Sequence, residues 1–123
     1  MALEAILRPV IKNFEETCKK ENEDFLAFYV KDALMIDVSR KSICKGHDEI
    51  LKQFKEWFEM GKDWVTENTN EDFSGSENFI RYACRCTMKK DGQVMVAFDE
   101  VQYWRKFGDK YLMELEQYTL AKN

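Results

Sequence analysis

The side chains in this sequence best suited to moving a proton are carboxyl groups set in apolar runs. Asp99 and Glu100 stand side by side in GQVMVAFDEVQYW, residues 92–104, and Asp37 lies late in ALMIDV, residues 33–38. Both runs have strand length and composition. Adjacent side chains on a strand point to opposite faces, so one of Asp99 and Glu100 looks toward the core and the other away. A carboxyl group among apolar neighbours loses hydration, and its pKa rises unless something pairs with it. That condition suits an acid or base lining a ligand cavity. An inward acid bonded to a backbone amide, a tyrosine or a buried water is instead structural.

Counting outward from a turn separates the two acids. Asp91-Gly92 is a strong two-residue hairpin signal and sets Lys90 against Gln93. Regular pairing then places Met88 opposite Met95, Cys86 opposite Ala97, Cys84 opposite Asp99 and Tyr82 opposite Val101, on one apolar face. The other face pairs Arg85 with Phe98, Ala83 with Glu100 and Arg81 with Gln102. Asp99 is thus expected inside, and Glu100 outside between two arginines. In the last hairpin, Tyr111, Met113 and Leu115 alternate with Leu112, Glu114 and Glu116. For the apolar set to join Tyr103 and Val101 inside, the loop RKFGD needs an odd count, which a bulge at Gly108 would supply. A one-residue slip would bring Glu114 and Glu116 beside Asp99, a pile of like charges, so the apolar pairing is preferred. Asp37 stays open. It shares a face with Ala33 and Met35, and points to the core or to solvent according to which side Leu34, Ile36 and Val38 take.

Other reactive side chains are sparse. The only histidine, His47, stands at a helix start, where it reads as a neighbour of the cap. Cys18, Cys44, Cys84 and Cys86 lack zinc spacing and read as free thiols of a reducing compartment, so a cytoplasmic location and no metal are expected. The net charge of −4, with Lys and Arg scattered among acids, leaves no basic face for nucleic acid. No apolar run approaches the ~18 residues of a membrane span. The start, MALEAILRP, is too short and too charged for a secretory signal.

The elements that must position the acids follow from hydrophobic period. Leu7, Val10, Ile11, Phe14 and Cys18 predict a helix over about residues 3–20, kinked at Pro9. Phe25, Leu26, Phe28 and Tyr29 predict a second, short helix. Ile50, Leu51, Phe54, Trp57 and Phe58 predict a third over residues 47–60, with Asp48 and Glu49 at its dipole-favoured start and Gly61 at its stop. Residues 33–38 form a strand, RKSICKG turns the chain back, and 62–73, 78–88, 93–104 and 110–119 read as four more strands. Without linker or repeat, residues 1–123 make a single domain of α+β class, with helices on one face of a curved, mostly antiparallel sheet.

This order, with FYVKDALMIDV, KGHDEILKQFKEWF and DEVQYWRKFGDKYLMELEQY at its joints, resembles the nuclear-transport-factor-like superfamily, which includes the SnoaL-like cyclases and the ketosteroid isomerases. The resemblance covers nearly the whole chain. It implies a cone: a curved sheet wrapped around three N-terminal helices, enclosing a largely apolar pocket, in a chain that pairs as a homodimer through the outer sheet face. It also implies catalytic roles, with Asp37 at the place of the isomerases' base and Asp99 at that of their protonated, hydrogen-bond-donating aspartate. One ionised and one neutral carboxyl in a dry pocket can divide base and acid roles. Phe14 stands nearest the isomerases' oxyanion tyrosine and has no proton to give, which speaks against steroid isomerisation. The pocket lining expected is Phe14, Tyr29, Met35, Trp57, Tyr82, Cys84, Val101, Tyr103 and Met113, with no cofactor. Two functions are open: a cofactor-free isomerase, cyclase or lyase acting on a small apolar ligand, and a non-catalytic dimeric module that binds a ligand or a protein.

Overall fold

Apolar side chains at helical spacing produce α1 (Leu3–Cys18), which buries Leu7, Ile11 and Phe14 and runs on through Pro9. The computed structural model describes residues 2–121. Where a short second helix is expected, the chain makes a tight 3-10 stretch, Glu23–Phe28, started by the Asn22 side chain accepting from the Asp24 amide at 2.9 Å. After β1 (Tyr29–Asp37), the chain turns and pairs back as a short strand β2 (Ser42–Lys45), which the sequence reading had as turn alone. Then α2 (Gly46–Met60) buries Ile50 and Phe54. The meander follows as β3 (Val65–Ser76), β4 (Phe79–Lys90), β5 (Gln93–Phe107) and β6 (Lys110–Leu120).

All six strands join one curved, open sheet in the order β2-β1-β6-β5-β4-β3, with β1 parallel to β6 and every other pair antiparallel. The helices cover its concave face. Phe14 of α1 meets Tyr29 and Trp104 edge-on at 5.8 and 5.9 Å, and Phe25 stacks on Phe54 of α2 at 4.1 Å. These rings fill the centre of the cone.

Two bulges decide which residues face that centre. Asp91 and Gly92 form the expected turn, both with positive φ (52° and 80°), as a two-residue hairpin of this hand requires. Lys90 pairs with Gln93 and Lys89 with Val94, but Met88 then pairs with Val96, so Met95 is an extra residue in β5. Beyond it every pair shifts by one: Cys86 meets Phe98, Arg85 meets Asp99, Cys84 meets Glu100 and Tyr82 meets Gln102. The expected orientation of the two acids is therefore reversed. Packing explains the choice, because the bulged register buries Trp104 completely and turns Phe98 onto Tyr118. Regular pairing would put both large rings outside.

The second bulge lies in β6. The β5–β6 turn is short, with Phe107 paired to Lys110 and Gly108 at φ 60°, so the odd count does not arise at the loop. Trp104 pairs with Met113 and Tyr103 with Leu115, leaving Glu114 as the extra residue. Tyr111 and Met113 face inward before it, Glu116 and Tyr118 after it. Val101, Tyr103 and Leu115, expected inside, lie on the outer face.

Candidate functional site

The inner face holds two carboxyl groups, Glu100 and Glu116, that the sequence reading had on the outer face. Glu116 of β6 is 6 % exposed, and its register partner is Gln102, next but one to Glu100 on the same face of β5. The Tyr29 hydroxyl donates to Glu116 Oε1 at 2.5 Å. Gln102 Nε2 donates to Glu100 Oε1 at 3.0 Å, and Trp104 Nε1 donates to Gln102 Oε1 at 2.9 Å. A relay thus runs from Trp104 through Gln102 to Glu100, with Tyr29 closing on Glu116 from β1. Glu15 of α1 reaches the same region from above, held by Asn68 Nδ2 at 2.6 Å.

Charge is unbalanced here. Burial, then the negative charge of Glu100 and a hydrogen bond to it, push Glu116 well above the usual carboxylate range, although Tyr29 and Gln102 pull the other way. Burial also raises Glu15, and the Glu100 and Glu71 charges add to it. A buried carboxyl group beside a second negative charge ionises with difficulty, so Glu116 holds its proton above the usual carboxylate range. Tyr29 and the neighbouring thiols Cys18, Cys84 and Cys86 are also raised, each by burial first and then by nearby charge that includes Glu100. Those thiols are therefore protonated and poor nucleophiles.

The expected catalytic pair is not brought together. Asp99 sits on the outer face, where Arg85 clasps it through Nε at 2.6 Å and Nη2 at 3.2 Å. Asp37 lies on the Ala33–Met35 face at the very end of β1. It caps the following turn, Oδ1 accepting from the Arg40 amide at 3.1 Å with the Arg40 guanidinium 3.8 Å away. Of the expected lining, Phe14, Tyr29, Met35, Tyr82, Cys84 and Met113 are buried in the core, and Trp57 packs edge-on against Tyr118. Tyr103 stacks on Phe79 outside at 5.8 Å, and Val101 lies beside Ala83 on that same face. The sequence reading missed Glu100, Glu116, Gln102 and Glu15.

Two clefts open elsewhere. One of about 580 Å³ lies on the outer face where β1 departs from β6, and one of about 290 Å³ lies beside the start of β5 and the end of β6. Neither is lined by Glu100 or Glu116. Among the described residues no set of His, Cys, Asp and Glu is arranged to hold a metal ion. None of the described helices is long and apolar enough to cross a membrane.

No protein-family model and no curated protein matches the sequence. Solved structures do match the fold. A protein of unknown function with a cystatin-like fold from Nostoc punctiforme superposes with a TM-score of 0.83 at 18% identity, over 100% of this chain and 95% of the other. The yeast UBP3-associated protein BRE5 gives 0.84 at 14% identity, over 100% and 99%. An NTF2-like protein of unknown function from Pseudomonas putida gives 0.82 at 13% identity, over 99% and 89%. At such identities the likeness establishes architecture and leaves activity to the side chains.

Proposed function

On the NTF2-like, cystatin-like fold that this chain has, we propose a proton-transfer site for a small ligand, with Glu116, Glu100 and Tyr29 as its working groups. The observation that carries this reading is a buried Glu116 beside Glu100, bonded by Tyr29 at 2.5 Å, where burial and the facing charge push its pKa well above the usual carboxylate range. Glu116 would be the proton-bearing group of such a site. It can give that proton to one atom of a bound molecule and take one from another. A purely structural core would bury Met or Leu at these positions at less cost. Glu100, Glu15, Cys18 and Asn68 are half-buried, so a ligand would approach between the end of α1 and the concave face of the sheet. The chemistry is isomerase-, cyclase- or lyase-like and needs no cofactor.

Native mass spectrometry after gentle purification tests this. The reading expects a retained small molecule that is lost in Glu100→Gln and Glu116→Gln but kept in Asp99→Asn. Retention unaffected by either glutamine, or a ligand-free chain whose Glu100 amide is untouched in an NMR fragment screen, contradicts it.

A second reading, self-association through the outer sheet face, is favoured by one feature of that face. The strand registers align Ile43, Ile36, Gln117, Val101 and Ala83 in one row across the sheet, and Leu34, Leu115 and Tyr103 in the next. An apolar band of that length on an open face is what a second copy would cover. The two readings concern opposite faces and are compatible.

A further inference from the structure

Glu100, Gln102 and Trp104 stand at alternate positions of β5, so one face carries all three once the Met95 bulge has turned it inward. Trp104 is fully buried and Gln102 is 5% exposed. Water is excluded from this part of the strand, and each polar atom there must find its partner in the protein. Trp104 Nε1 donates to Gln102 Oε1 at 2.9 Å, and Gln102 Nε2 donates to Glu100 Oε1 at 3.0 Å. Around Glu100 stand Glu116 from β6, Tyr29 from β1, Glu15 and Cys18 from α1, and Cys84 and Cys86 from β4. None of these brings a positive charge. Among the described residues no Lys or Arg pairs with Glu100 either.

An indole nitrogen is a donor only, whereas a glutamine amide has one accepting and one donating end. Trp104 therefore decides which end of Gln102 faces it. Turning the amide over would set N–H against N–H at the indole and oxygen against oxygen at Glu100. Each buried hydrogen bond left unmade disfavours that state about tenfold or more. From this one-way series we propose that Gln102 is a positioning residue, locked by Trp104 so that it donates to Glu100 and does not accept from it. The inference rests on reading Glu100 and Glu116 as a proton-transfer site. A proton that Glu100 takes up then has no acceptor on the Gln102 side. It lies on the oxygen that Gln102 leaves open, where a ligand or Glu116 can receive it.

NMR of the wild type and of two variants tests the lock, with circular dichroism confirming that each is folded. From acid to alkaline pH the Trp104 indole proton of the wild type keeps its hydrogen-bonded shift and its protection from solvent exchange. Gln102 does not turn when the carboxyl groups gain protons. In Trp104→Phe the lock is gone, and the Gln102 amide protons change shift on acidification as the amide turns over. Gln102→Met removes the donor, and the Glu116 midpoint, which the Gln102 hydrogen bond holds down, rises by about one pH unit. A merely structural Gln102 would lower the thermal midpoint in Gln102→Met and leave the Glu116 titration alone. Gln102→Met decides the matter where the phenylalanine variant does not fold. Loss of indole protection on acidification overturns the inference. So does a Gln102→Met variant whose Glu116 midpoint is unmoved while Glu100→Gln still lowers it, and that result leaves the site reading standing. A wild-type Glu116 midpoint near about 4.3 overturns both.

Discussion

Glu116 costs this protein stability that Asp99 does not. Asp99 meets an arginine in water, whereas Glu116 meets another carboxyl group in the core. An unfolded glutamate loses its proton near about pH 4.3. The folded chain holds the Glu116 proton to higher pH, so between the two values the native state binds one proton more than the unfolded state. Stability is then fullest below about pH 4.3 and falls as pH rises through the folded value, by at most about 1.4 kcal/mol per pH unit for one group. Glu15, also raised, acts in the same direction. Glu71 acts in the opposite one. Its burial is outweighed by hydrogen bonds from Arg8 and Tyr82, which lower it, so its contribution is lost as pH falls. Replacing Glu116 by Gln keeps the acceptor for Tyr29 and removes the titration. Urea unfolding at a series of pH values should give a flatter profile for Glu116→Gln, with higher stability than wild type at alkaline pH. A variant as steep as wild type would show that Glu116 does not carry the effect.

At the scale of elements, the site depends on two single-residue insertions. Met95 and Glu114 contribute no contact to the carboxyl pair, yet they turn Glu100 and Glu116 inward. Deleting Met95 would restore regular pairing from the Asp91-Gly92 turn, expose Trp104 and bury Asp99 without Arg85. Loss of one fully buried Trp alone is worth about 3–5 kcal/mol, so the deletion should abolish cooperative thermal unfolding or shift it far down. Near-wild-type unfolding would mean that the register does not depend on the bulge. This also marks where sequence reading ends. The Asp-Gly turn, the strands and the apolar alternation are all legible, but a bulge has no local signature of its own. The available signal was comparative: Phe98 and Trp104 share a parity with Glu100, and two large rings outweigh Val101 and Tyr103 in apolar area. Like-charge repulsion argues against a slip that gathers carboxyl groups, but a carboxyl group that keeps its proton, as Glu116 does, escapes much of that repulsion.

At the scale of the molecule, the order of helices and strands was enough to specify a curved, mostly antiparallel sheet with its helices on one face, because apolar helices after which the period changes to that of strands pack in two layers. That architecture gives the chain two unlike surfaces: a concave face closed over Glu116 and Tyr29, and a convex face of apolar rows and ion pairs. Resemblance carried the fold correctly, whereas Asp99, the residue it pointed to on β5, faces outward beside Arg85 and its neighbour Glu100 faces inward. The central claim is that the inward acids are Glu100 and Glu116 and that Glu116 keeps its proton well above the usual carboxylate range. Carboxyl-detected NMR titration of Glu116 tests this most directly. The account predicts a midpoint well above the usual carboxylate range, which moves down in Glu100→Gln as the facing charge is removed. A Glu116 midpoint near about 4.3, indifferent to Glu100, would contradict it.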